Sequence, residues 1–310
     1  MDTSKHSRHE VVSGYQFVPL KHLALWRERT EAFAAGLGLK GTVLLAGEGI
    51  NFSLGGAASR LDEWLTWIGR HLGCACPVVS RQSVDAPPFL RLKVRQRDEI
   101  VTFDRSVVPT AECSGQALSP AEWNALLDDD ELQLVDTRND YEYRIGSFAG
   151  AVNPQTNSFT EFKDYCNQQL DPDKPVAMFC TGGVRCEKAG AWLKASGFSR
   201  VYQLRGGILG YLSATSPEVS RWRGECFVFD DRVSVDESLR PTGRVVCRGC
   251  RHPVEGLDAA GVPPVSTDGE CRLCGKVFDE ARLGSLRERS RQVALAQARG
   301  YVHLGPDAQS

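Results

Sequence analysis

The apolar run Val176-Ala177-Met178-Phe179 ends at Cys180, and a glycine-bearing loop then leads into the stretch Val184-Arg185-Cys186-Glu187-Lys188-Ala189. A strand that stops at a cysteine, turns and resumes as a helix commits the segment to a β-loop-α unit, whose loop residues gather at the carboxyl end of a parallel strand. The N–H groups of Thr181, Gly182, Gly183 and Val184 are expected to turn toward the cysteine sulfur, with Arg185 and the helix N-terminus adding positive potential. Each of these favours the thiolate and lowers its pKa. Cys180 is therefore read as an ionised sulfur at the mouth of a sheet, reachable by substrate.

Loop length narrows the chemistry. A phosphatase of the Cys-x5-Arg type needs five residues before its arginine, whereas four separate Cys180 from Arg185. The tighter ring suits one sulfur atom or a small group. Cys186 either faces Cys180 as a resolving thiol or packs against the sheet, and spacing leaves both open.

The flanking sequence continues the alternation. Ser119-Pro120-Ala121-Glu122 reads as a capping box with proline at the first helical position, opening a new domain. Strands are predicted at LQLV, VAMF and VYQL, with helices over Phe159–Leu170 and Val184–Ser196 and a stop at Gly197. This order predicts a parallel α/β sheet over 118–222, after a turn-rich linker at 109–117. Residues 1–108 predict strands near Tyr15–Pro19, Phe89–Val94 and Glu99–Phe103, helices over Leu20–Leu37 and Ala57–His71, and a hairpin in GTVLLAGEGINFSLGG turning at Gly47-Glu48-Gly49. That mixture suggests an α+β sandwich of the ferredoxin or acylphosphatase sort. Residues 223–310 turn rich in Cys, Gly, Pro and Arg and recover helical character only at Glu280–Arg299. A core so small usually needs a staple.

With 310 residues, the chain is long enough for two or three domains. No stretch approaches the ~18–20 apolar residues of a membrane span, and the first ten residues lack an apolar signal region, so a cytoplasmic protein is expected. Eleven cysteines in that setting point to metal binding or catalysis before disulfides. Cys247-Arg248-Gly249-Cys250, then twenty residues, then Cys271-Arg272-Leu273-Cys274, supply four thiolates at the spacing of a closed, structural zinc site. Arg248, Arg251 and Arg272 would offset its negative charge, and His252 is a possible substitute ligand. Cys74, Cys76, Cys113, Cys166 and Cys226 show no metal spacing and are read as packing or surface residues.

Net charge is only −2, yet basic residues cluster. Arg91, Lys93, Arg95 and Arg97 alternate along one predicted strand and so share a face, and Arg282, Arg287, Arg289, Arg291 and Arg299 line the tail helix. Two such patches fit a phosphate backbone, and nucleic acid is the expected partner.

LVDTRNDYEYRIGSFAGAVN, FCTGGVRCEKAGAWLKASGF and VYQLRGGI together resemble a rhodanese domain over about 118–222. The resemblance implies that Cys180 is the persulfide-bearing cysteine and that Asp136 and Arg138 support its loop. The family's Gly-His-Ile is replaced by Gly146-Ser147-Phe148, outside the active loop. From end to end, GTVLLAGEGIN, PFLRLKVRQRDEIV, CTGGVRCEKA and the paired Cys-x2-Cys knuckles are similar to the rhodanese-containing tRNA uridine-34 hydroxylases. That likeness implies O2-dependent conversion of wobble uridine to 5-hydroxyuridine, with Cys180 essential. It also implies that the N-terminal domain, with Glu48 and Asn51 of GEGIN and the basic stripe, holds the anticodon stem-loop. No Gly-x-Gly-x-x-Gly and no two-His-one-carboxylate set is readable, so the reductant is unassigned and a thiol is the redox group on offer. Cys180 would attack C6 of the uracil or pass reducing equivalents to an oxygen species. Sulfur transfer to a thiol, cyanide or nucleoside fits the same loop.

Overall fold

The computed structural model describes residues 9–73, 78–85, 88–110, 112–255, 269–272 and 275–299. They form two compact units, one comprising the chain up to Cys226 with Glu237–Leu239, the other Phe227–Asp236 and the chain from Arg240 onward.

The first unit begins with β1 (His9–Phe17), α1 (Leu23–Gly36), β2 (Lys40–Ala46), β3 (Gly49–Ala57), α2 (Ala58–Leu72), β4 (Val78–Val84) and β5 (Leu92–Gln96). These strands make a sheet of order β4-β1-β3-β2-β5, antiparallel except where β2 meets β5. Alternate residues Ile50, Phe52 and Leu54 of β3, with Val43 and Leu45 of β2, share one core with Leu61, Trp64 and Ile68 of α2. The period of two on the strands and of three to four on the helix creates that shared face. β4 has no counterpart among the predicted strands, and the strand expected at Glu99–Phe103 is instead a series of bends. There the Glu48 carboxylate accepts the Ile100 N–H at 2.8 Å and the Glu99 carboxylate accepts the Phe103 N–H, so side chains take amides a ladder would need.

The same unit continues with β6 (Gln116–Leu118), α3 (Pro120–Leu126), β7 (Gln133–Asp136), the short α4 (Asp140–Tyr143), β8 (Gly146–Phe148), a 3-10 turn at Phe159–Glu161, α5 (Phe162–Gln169), β9 (Val176–Phe179), α6 (Val184–Ala195), β10 (Val201–Leu204), α7 (Gly207–Ala214) and β11 (Trp222–Gly224). Strands β6-β10-β9-β7 form a wholly parallel sheet. All four residues of β9 are buried, as a central parallel strand covered on both faces requires. The predicted capping box opens α3, with Ser119 Oγ accepting the Glu122 N–H and the Glu122 carboxylate accepting the Ser119 N–H. No helix among the described residues is long and apolar enough to cross a membrane.

In the second unit, short strands at Val245–Val246 and Pro253–Val254 pair antiparallel, and α8 (Glu280–Ala298) follows. Its small core joins Cys247, Cys250 and Cys271 to Val254, Phe278 and Leu286.

Candidate active site

Cys180 stands at the carboxyl end of β9 with its sulfur inside the loop before α6. The Gly183 N–H donates to the sulfur at 3.0 Å. Arg185 and Cys186, in the first turn of α6, act on it electrostatically. Of the loop amides expected to face the sulfur, that of Gly183 bonds to it. Burial pushes the Cys180 thiol up. The Cys186 hydrogen bond, the Arg185 charge and the two helix amides outweigh that and bring it down to about 6. Cys186 moves the other way, held well above the ordinary thiol range first by burial and then by the hydrogen bond and charge of Cys180. The site therefore pairs a thiolate with a thiol.

Backbone geometry holds the loop. Gly183 adopts φ 98°, a left-handed conformation that glycine takes at little cost. The N–H groups opening α7 anchor the other side, Ile208 donating to the Cys180 carbonyl at 2.9 Å and Leu209 to the Thr181 carbonyl at 3.1 Å. Gly207 (φ 60°) makes this approach possible, since a Cβ there would stand 2.5 Å from the Cys180 carbonyl oxygen.

Arg185 is clamped by Glu142, Nη1 at 3.0 Å and Nη2 at 3.3 Å from the carboxylate oxygens, which fixes its charge beside the loop. Asp136 and Arg138, expected to support the loop, stand at the carboxyl end of β7. Both are fully buried, paired through Nε–Oδ1 at 2.9 Å and Nη2–Oδ2 at 2.7 Å, and Arg138 also donates to the Gly146 carbonyl and lies over the Trp222 ring. Between them Thr137 Oγ1 donates to the Phe179 carbonyl at 3.0 Å and meets Cys186 Sγ at 3.5 Å. Together they brace the carboxyl ends of β7 and β9, from which the Cys180 loop departs. Ser147, which replaces the expected histidine, donates to Asp136 at 2.9 Å and so joins that brace.

The expectation of an open sulfur is overturned: Cys180 is only 2% exposed. The N-terminal sheet packs against its loop. Tyr15 of β1 donates to Glu187 of α6 at 2.7 Å, with burial and then the Glu187 charge raising its phenol and Cys180 adding to the effect. Its hydroxyl stands 3.2 Å from where a Cβ on Gly183 would sit, while Val79 of β4 packs at Gly182. Tyr15, Glu187 and Val79 were not recognised in the sequence, because only the packing of one domain on the other brings residues so far apart in the chain together.

The same contact corrects the reading of Glu48 as an RNA ligand. Its carboxylate is buried and accepts from Lys188 Nζ of α6 at 2.7 Å, and Lys188, 0% exposed, also pairs with Glu99. Glu48 thus ties the β2–β3 turn to the active-loop helix and is not free for a phosphate or base. Asn51 donates to the Ile100 carbonyl at 3.2 Å and supports the same corner. Of the basic residues expected along one strand, half-buried Lys93 and exposed Arg95 alternate with the inward Val94 on the edge strand β5, while Arg91 and Arg97, both exposed, lie just outside it.

In the second unit the Cys247 and Cys271 turns share one hydrogen-bond pattern. The Cys247 N–H donates to the His252 carbonyl and Arg251 N–H to the Cys247 carbonyl, and Cys271 N–H to Lys276 and Gly275 N–H to Cys271 repeat it. Arg251 (φ 70°) and Gly275 (φ 73°) occupy matching left-handed positions. The Cys250 N–H also donates to Cys247 Sγ at 3.5 Å. Cys274 lies outside the described residues, and among those described no three His, Cys, Asp or Glu side chains are grouped to hold a metal.

A parallel sheet carrying a cradled cysteine between strand and helix defines a rhodanese-like domain, and residues 119–214 match the Rhodanese-like domain family, an enzyme type with a catalytic cysteine. Residues 9–100 match the UPF0176 acylphosphatase like domain. Among solved structures, the chain is similar to a rhodanese-like domain protein from Staphylococcus aureus (26% identity, 31% of this chain, 90% of that one, TM-score 0.27). It is also similar to a rhodanese-related protein from Thermoplasma volcanium (22%, 33% and 95%, TM-score 0.27). It is similar as well to an acylphosphatase from Coxiella burnetii (14%, 30% and 100%, TM-score 0.23).

Proposed function

We propose that this chain is a tRNA-modifying enzyme that hydroxylates C5 of the wobble uridine with O2, with Cys180 as the reacting sulfur. The observation that carries the reading is the joining of a thiolate loop to an acylphosphatase-like domain through Lys188, Glu48 and Glu99. A second domain joined to the reactive loop suits an enzyme that must present one nucleotide of a large RNA to its sulfur. The exposed Arg91, Arg95 and Arg97 with Lys93 would follow the anticodon-stem backbone by charge, leaving the base to be presented to the loop. Because Cys180 is buried and Tyr15 stands at its loop, RNA binding would open this contact before the base and Cys180 meet.

The chain's own groups divide the work. Arg185, held by Glu142, and the Gly183, Arg185 and Cys186 amides stabilise negative charge at the sulfur and on any anion formed beside it. Glu187, its carboxyl pushed up by burial, offers a proton at the same edge once Tyr15 has moved away. For Cys247, Cys250, Cys271 and Cys274 we propose a structural zinc, supported by the matching turns and by Arg248 and Arg251, whose charges near Arg289 suit a site of net negative charge.

Sulfur transfer is the competing reading, favoured by the four-residue loop and the rhodanese-like match. Mass analysis of tRNA nucleosides from a strain lacking the gene separates them. Loss of oxygen at the wobble uridine, restored by the native chain and not by Cys180→Ser, is the expected outcome. Loss of sulfur with oxygen intact would replace hydroxylation with transfer.

A further inference from the structure

Leu61, Trp64 and Ile68 turn one side of α2 into the core, and Asp62, Glu63, Thr66, Trp67 and Arg70 of the same helix line a cavity with Phe33 of α1. Its volume of about 410 Å3 lies in the range of small-ligand sites. The Phe33 and Trp67 rings stack at 4.8 Å with their planes 22° apart, and both are half-buried, which gives the cavity an aromatic wall. Thr66 keeps its hydroxyl on the Asp62 carbonyl at 2.8 Å, so Asp62, Glu63 and Arg70 set the charge of the rim. The two helices cover the face of the sheet that carries Ile50, Phe52 and Leu54, whereas Tyr15 and its strand partner Asn51 alternate to the other face. The cavity therefore lies across the sheet from the active loop.

The rim opposes each simple class of charged ligand. An amine or guanidinium drawn to the rings and carboxylates is repelled by Arg70, and a phosphate or carboxylate drawn to Arg70 is repelled by Asp62 and Glu63. A neutral flat ring with donors on one edge and acceptors on another meets neither objection.

We propose that this cavity binds a guanine base. Among the four RNA bases, guanine alone sets two adjacent donors, N1–H and the 2-amino group, where one carboxylate accepts both, and its O6 and N7 are the acceptor pair that an arginine fork takes. Adenine and cytosine place a ring-nitrogen lone pair beside their amino group, and uracil flanks N3–H with two carbonyls, so each turns a lone pair toward the carboxylate. Glu63 and Arg70 stand two turns apart on α2, about 10 Å along its axis, a gap that their side chains and a purine between them span. The carboxylates can be recruited because their present partners hold them at the surface. Glu63 pairs with Arg60 at 3.1 Å and Asp62 with Arg81 at 2.6 Å, and exposed pairs of this kind contribute little. The base arrives either as a free guanosine nucleotide or as an unpaired guanosine of an RNA strand.

The test titrates full-length chain, by calorimetry, with the monophosphates of guanosine, inosine, adenosine, cytidine and uridine, and with single-stranded oligouridylate carrying one guanosine, inosine or adenosine. The guanine form should bind about tenfold or more tighter than the adenine form, with inosine between them because it lacks the 2-amino donor. The pair Asp62→Asn with Glu63→Gln, and separately Arg70→Gln, should each weaken guanine binding by about tenfold while leaving the thermal unfolding midpoint in place. Selective binding of the free nucleotide would identify a nucleotide ligand, and selectivity confined to the strand an RNA one. Equal affinity for every base, no binding of either form, a guanine preference that survives the carboxylate variants, or binding of N-acetylarginine amide in place of guanine would each overturn the site. These measurements do not involve Cys180, so their outcome stands apart from the hydroxylation reading.

Discussion

Replacing Lys188 by methionine tests how the N-terminal domain is fastened to the active loop. The lysine is 0% exposed and its partners Glu48 and Glu99 are 6% and 5% exposed at the side chain. Removing the ammonium leaves two carboxylates facing one another with almost no water, and deleting one side of a buried ion pair costs about 3–5 kcal/mol. The Ile100 and Phe103 amides still bond to these carboxylates, which places the expected loss near the lower end, about 3 kcal/mol. With a urea m-value of about 2–3 kcal/mol/M, the unfolding midpoint should fall by about 1–1.5 M. Equilibrium unfolding followed by fluorescence of the buried Trp64 and Trp123 reads both halves of the unit. The triple variant Lys188→Met, Glu48→Gln, Glu99→Gln should recover most of the loss, because removing the whole ionic set leaves no uncompensated charge. A single-variant loss under about 1 kcal/mol, or a triple variant no more stable than the single, would refute this account of the joint.

Two further outcomes follow. Tyr15→Ala should speed iodoacetamide modification of Cys180 at neutral pH by about tenfold or more, since a cover costing even about 1.4 kcal/mol to open slows reaction by that factor. In that variant the rate should rise with pH through a midpoint near 6 and then level off, as the depressed thiol loses its proton there; a midpoint near ~8.5 would mean the cradle does not favour the thiolate. Purified chain should contain about one zinc per molecule, and its removal by chelator should expose the segment around Arg244–Glu255 to limited proteolysis. Metal-free protein with the same cleavage pattern would dismiss the staple.

Much of the fold was legible because local physics writes it locally. Four apolar residues ending at a cysteine, followed by glycines and a helix, gave β9, the loop and α6, and the Ser119–Glu122 pair marked α3 to the residue. The same stretch disclosed a thiolate, because loop amides and Arg185 are neighbours in the chain as well as in space. What sequence could not settle was what lies over that thiolate. Tyr15 and Val79 reach the loop only because β1 and β4 pack against it, and Glu48, read as an RNA contact, turns inward because Lys188 waits there, 140 residues away. Short-range order follows from propensity and hydrogen bonding within a turn. The cover on the sulfur and the ionic joint arise from packing between distant segments, where the cost of burying charge selects which groups must meet.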